Sequence, residues 1–94
     1  MKIKQKATIG DAVLELVCRE YFVKHRLDLH LKRLIVSNKN LYRVAKGLDI
    51  AKDGLADKTG GTVMEAFIYE MYDSKGLNHV REFIIKIIIE DGTQ

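Results

Sequence analysis

Two carboxylates, Asp11 and Glu65, sit in stretches that otherwise read as core: Thr8-Ile9-Gly10-Asp11-Ala12-Val13-Leu14-Glu15-Leu16-Val17 and Thr62-Val63-Met64-Glu65-Ala66-Phe67-Ile68. Taking a carboxylate out of water is costly unless it is paired or binds a cation. Two such acids on two helices of one small domain therefore point to a shared metal. Mg²⁺ (or Mn²⁺) takes about six oxygen ligands and keeps several waters, so two carboxylates, water and a substrate phosphate suffice. An ion held in this way polarises a phosphodiester and lowers the pKa of a water. The expectation is that the Asp11 and Glu65 carboxyls lie within about 6 Å of each other. Glu15, one helical turn after Asp11, is a further metal candidate, and an ordinary salt bridge is the other role open to it. His25, His30 and His79 show no metal-ligand spacing and read as surface or helix-end residues.

The elements that must position these acids are helical. Residues 8 to 25 read as one helix, with Ile9, Ala12, Val13, Leu16, Val17, Phe22 and Val23 at helical spacing, Thr8 as its N-cap and Asp11 in its first turn. An acid in a first turn is also favoured by the helix dipole without any chemistry. A short helix follows over 29–36, then one from about Lys39 to Lys46 capped by Ser37-Asn38 and stopped by Gly47. Lys58-Thr59-Gly60-Gly61 reads as a flexible joint in which Gly61 lets another backbone approach closely. Thr62 to Tyr72 is the second acid-bearing helix. The last segment, 77–90, is β-branched in its Phe83–Ile89 run. It is assigned as helix because no partner strand is visible, and an exposed apolar strip there would be a self-association surface. No internal repeat is evident.

Ninety-four residues, 47% of them hydrophobic, make one globular all-α domain over 1–94. No run approaches the ~20 apolar residues that span a bilayer, and Arg19 and Glu20 interrupt the only stretch resembling a signal peptide. A single Cys18 makes no intrachain disulfide and reads as a small buried hydrophobe, so the expected setting is soluble and cytoplasmic. The net charge of +3 is unevenly spread: residues 24–46 carry +6 and residues 47–94 carry −4. Lys24, Arg26, Lys32, Arg33, Lys39, Arg43 and Lys46 thus suggest an anionic partner, with a solvated basic face as the plain alternative.

The same stretches resemble the ribonuclease III catalytic domain. The opening motif is Ile9–Val17 with Glu20-Tyr21-Phe22; Ile35–Leu41 and Val44-Ala45 look like the family's middle helix. Thr62–Ile68 and Tyr72–Leu77 are similar to its second acidic motif and the turn after it, and Lys58 falls where the family often has lysine. The family pattern carries four acids, whereas Ala7 and Thr62 here stand where one of each pair would be. In this, and in lacking an appended double-stranded RNA-binding domain, the chain resembles the compact Mini-III branch. Its connections between Lys24 and Ile35, and between Lys46 and Lys58, are short against the family.

The resemblance implies a trimmed all-helical endonuclease domain of about five to six helices. It would act as a homodimer on double-stranded RNA with Mg²⁺ held by Asp11 and Glu65. Recognition of such RNA is by shape, through phosphates and 2′-hydroxyls, with the seven basic residues and Lys58 as phosphate contacts. Two other readings stay open: a catalytically silent RNA-binding or dimerisation module, and an unrelated helical binding protein.

Overall fold

The computed structural model describes residues 1–92. Among these there are five α-helices, α1 (Ile3–Lys24), α2 (Leu29–Ile35), α3 (Asn38–Gly47), α4 (Asp57–Lys75) and α5 (Leu77–Phe83), then a π-helical segment, Ile84–Glu90, and no strand. No helix among them is long and apolar enough to cross a membrane. The expected all-α class is what the chain adopts.

α1 begins five residues earlier than Thr8. Lys, Gln and Ala are good helix formers, and nothing between Lys2 and Ala7 breaks the helix. The Lys2 N–H donates to Gln5 Oε1 at 2.8 Å, closing the real N-terminus. Thr8 is therefore no cap; it lies inside the helix and its hydroxyl donates to the Lys4 carbonyl at 2.9 Å. Asp11 then stands beyond the first turn, where the dipole explanation for an acid no longer applies. The apolar residues of α1 also split into two faces. Val13, Leu14, Val17, Cys18 and Phe22 are buried, while Ile9, Ala12, Leu16 and Val23 form an exposed stripe, with Val23 at 73% exposure.

Short-range bonds set the next two helices. The Asp28 carboxylate accepts from the His30 N–H at 2.9 Å and Ser37 Oγ accepts from the Asn40 N–H at 3.2 Å, the N-cap arrangement that satisfies otherwise unpaired amides. Gly47 is the last residue of α3 rather than its stop. The chain turns at Asp49, whose φ of 61° lies in the left-handed region, and Ile50 N–H bonds back to the Ala45 carbonyl.

α4 is the central helix and packs mainly against α1 and α3. It starts at Asp57, so Lys58–Gly61 form its first turns and not a joint. Packing overrides the helix cost of two glycines here. A side chain at Gly60 would meet the Tyr42 ring, and one at Gly61 would meet Asn38. Tyr42 also ties down the connection between α3 and α4: its hydroxyl donates to the Lys52 carbonyl at 2.7 Å and accepts from the Leu55 N–H at 2.9 Å. The isoleucine-rich run continues α5 with a wider helical turn. Ile84, Ile88 and Ile89 are fully buried in the core with Leu14, Phe22, Leu41, Met64 and Ile68. The expected sticky strip is thus interior surface.

Candidate active site

α1 and α4 come into backbone contact at Gly10. A Cβ on that residue would overlap the Glu65 main-chain oxygen, so only glycine permits this spacing. Further along, Lys6 of α1 pairs with Glu70 of α4. These two contacts run in opposite chain directions and make the helices antiparallel. Asp11 follows Gly10 directly, and its carboxyl lies close enough to that of Glu65 for a protonated Glu65 to hydrogen-bond it. The two acids line one solvent-open pocket together with Ala7 and Thr62.

This pocket holds an electrostatic conflict. Burial pushes the Glu65 carboxyl up, and the hydrogen bond and negative charge of Asp11 push it further, to about 8. At neutral pH Glu65 therefore keeps a proton that ordinary carboxyls have lost. A cation between the two oxygen pairs would relieve both the burial and the repulsion, releasing that proton. The donors are hard oxygens, which suits Mg²⁺ or Mn²⁺ rather than a soft metal. Among the described residues no three His, Cys, Asp or Glu side chains are placed to hold a metal together, and Asp11 and Glu65 are the acids that line this pocket.

Glu15 is not part of it. Its carboxylate faces α2 and accepts from Lys32 Nζ at 2.7 Å and Arg19 Nε at 3.1 Å. Burial would raise its pKa, but the two cations outweigh burial and hold it below the usual range. This ion pairing is the salt-bridge role that the sequence leaves open for Glu15, and it also engages Lys32, whose side chain is only 12% exposed.

The chain is 36% identical to Ribonuclease 3 of Clostridium tetani (strain Massachusetts / E88) over 96 aligned positions, taking in 83% of this chain and 41% of that protein. It is 33% identical to Ribonuclease 3 of Clostridium beijerinckii (strain ATCC 51743 / NCIMB 8052), over 82% of this chain and 41% of that one. The chain holds a ribonuclease III-type domain. It spans about two fifths of the length of these curated relatives. The first alignment has more positions than the residues of this chain it uses, so the relative carries insertions that this ribonuclease III-type domain lacks. No family model matches the chain, and no solved structure does.

The remaining basic residues of this ribonuclease III-type domain fall in separate places. Lys39, Arg43 and Lys46 line a second pocket with Tyr42 and Asp57. Two of them are partly committed: Arg43 pairs with Asp91 at 3.4 Å, while Lys46 lies 4.4 Å above the Tyr42 ring and 3.9 Å from Asp53. Lys24 lines a small pocket with Tyr21 and Arg81, and Arg26 and Arg33 are exposed. The three histidines are exposed as expected. Of all the basic residues singled out in the sequence, Lys58 alone lines the acid pocket. A second lysine there, Lys4, escapes a reading that begins the helix at Thr8.

Proposed function

We propose that this domain hydrolyses phosphodiester bonds in double-stranded or structured RNA with a divalent metal ion, Mg²⁺ or Mn²⁺, held by Asp11 and Glu65. The single observation that carries this reading is the meeting of two carboxyls, one per helix, in an open pocket where no cation among the described residues is paired to either. The similarity to bacterial proteins named Ribonuclease 3 supports the choice of RNA as substrate.

When bound, the ion supplies Lewis-acid polarisation of the phosphate and makes a nearby water more acidic. The chain's own contribution is position and charge. Asp11 and Glu65 are the residues that would hold the ion, and Glu65 would give up its proton in doing so. The Gly10 contact fixes the spacing of the two carboxyls, and Lys58 presents positive charge to the approaching phosphate. A-form RNA offers a wide, shallow minor groove, so a shallow pocket of this kind fits contact by shape rather than base reading.

We further infer that the domain works as a homodimer in the cytoplasm. The exposed stripe of Ile9, Ala12, Leu16 and Val23 is the surface that a second copy would cover, leaving one acid pair for each strand of a duplex. Cys18 is unpaired and buried, its thiol pushed up to about 12 chiefly by burial, which suits a reducing compartment.

A second reading is favoured by Ala7 and Thr62, which leave the pocket with two acids: a silent module that binds structured RNA. Duplex RNA incubated with the protein and Mg²⁺, beside Asp11→Asn and Glu65→Gln, separates the two. Cutting that either substitution abolishes is the expected result. Salt-sensitive binding with no cutting by the unaltered protein establishes the silent module instead.

A further inference from the structure

The acid pocket is built twice over. On α1, Lys4, Thr8 and Asp11 follow one another at spacings of four and three residues; on α4, Lys58, Thr62 and Glu65 do the same. All six line the pocket. The correspondence extends to hydrogen bonding: Thr8 donates to the Lys4 carbonyl at 2.9 Å, and Thr62 donates to the Lys58 carbonyl at 3.0 Å. Each threonine thus turns its hydroxyl back on its own helix, where it offers no proton to the pocket. What remains facing the opening is one acid and one ammonium from each arm.

The geometry follows from helix dimensions. Seven residues are almost two full turns, so lysine and acid share a helix face about 10 Å apart along its axis. The acids sit where the helices touch, at Gly10 and Glu65, and the lysines stand two turns back along each helix. Among the described residues neither Lys4 nor Lys58 is in an ion pair, although Lys6, Lys32 and Lys46 all are. The two ammonium groups therefore flank a carboxylate pair without neutralising it, and their charge is available to an anion.

We propose that Lys4 and Lys58 form a two-armed clamp for backbone phosphates of the nucleic acid strand that lies over the Asp11–Glu65 pair, with Lys4 as a binding residue equal in weight to Lys58. The inference rests on the pocket being an RNA site, as proposed above, but it does not require that the RNA be cut. Phosphate groups fit because ammonium groups on long flexible stems act as point charges for anions spaced along a chain.

The test uses the whole chain and a blunt duplex RNA of about two helical turns in EDTA, so that binding is read without metal. Fluorescence anisotropy is measured across a salt series for the unaltered protein, Lys4→Met, Lys4→Arg, Lys58→Met and Lys2→Met. Lys2 is the comparison because it is exposed, lies at the same end of α1 and does not line the pocket. Loss of one phosphate contact should flatten the slope of log affinity against log salt by about 1. The expected result is that slope change in both Lys4→Met and Lys58→Met, with affinity several-fold lower, near-full recovery in Lys4→Arg, and no slope change in Lys2→Met. Thermal melts identify any variant that has lost its fold, and Lys4→Arg carries the same test in a side chain that keeps the charge. Equal effects from Lys4→Met and Lys2→Met would reduce the clamp to general charge and overturn it, as would an unchanged slope in Lys4→Met. Cutting without the slope change sinks the clamp alone; the slope change without cutting sinks the nuclease reading alone. Absence of any RNA binding overturns both.

Discussion

Glu15 and Glu65 are both half-buried glutamates on the two helices that pack most closely, yet their surroundings are opposite. Glu15 is held by Lys32 and Arg19, and its carboxyl is the more acidic for it. Glu65 faces another acid, and its carboxyl is pushed up to about 8. The first is an interaction already complete within the chain, joining α1 to α2. The second is incomplete until something positive arrives, and incomplete charge is where a binding site is to be sought. Sequence position separates the two poorly, because Glu15 lies only one turn from Asp11.

Exchanging each glutamate for glutamine tests this contrast most severely. Glu65→Gln should lower RNA cleavage by more than the roughly 10- to 100-fold that losing an outer metal-site partner costs. Glu15→Gln should leave the cleavage rate within about twofold and act on stability instead, by about 1 kcal/mol, as expected for a partly exposed ion pair. Single-turnover assays beside chemical denaturation read both quantities, and similar cleavage losses in the two variants would dissolve the distinction.

Gly10→Ala addresses the geometry behind it. The added methyl must force α1 away from α4, at a cost of about 1–3 kcal/mol typical of overpacking, and cleavage should fall although both acids remain. A protein of unchanged stability and activity would show that the close approach is not what pairs the carboxyls.

The same contrast can be read from the pH dependence of melting. Glu65 binds its proton more tightly in the folded state than in the unfolded chain, so its contribution to stability is present below pH 4.5 and is lost progressively as pH rises towards 8. Glu15 has the opposite sign, contributing above the unfolded pKa and losing that contribution as acid protonates it. Melting temperatures from pH 5 to 8.5 should therefore decline more steeply in the unaltered protein than in Glu65→Gln. Mg²⁺ at the alkaline end should restore part of the loss in the former and little in the latter.

Much of this was legible in the residues themselves. Asp11 and Glu65 stand out because their neighbours are apolar; Glu65 is half-buried, as that pattern predicts, whereas Asp11 is exposed at the rim of the pocket. The capped short helices, at Asp28 and Ser37, were marked by side chains whose bonding is local. The errors have a common physical source, which is that tertiary contact overruled local preference. Gly60 and Gly61 read as a joint because their helix propensity is poor, and only the ring of Tyr42 and the side chain of Asn38 explain why they are helical. With Thr8 read as the N-cap, the basic Lys2–Lys6 start falls outside the helix and Lys4 is lost from view. Extending the helix by five residues exposes the matching Lys-x₃-Thr-x₂-acid spacing at 4–11 and 58–65, a repeat visible in the sequence once both segments are taken as helical. The final segment is helical, as the absence of a partner strand implies, but the wider turn and complete burial of its inward isoleucines depend on a core that no local pattern describes.

Tyr42 has a consequence for how the α3–α4 connection can vary. Both of its hydroxyl bonds go to main-chain groups, the carbonyl of Lys52 and the N–H of Leu55. Any residue except proline supplies the latter group, so the side chains along this segment are free to drift while its path stays fixed. Homologous connections that share the path should then look unrelated letter by letter, and the tyrosine ten residues upstream would be the mark by which to align them.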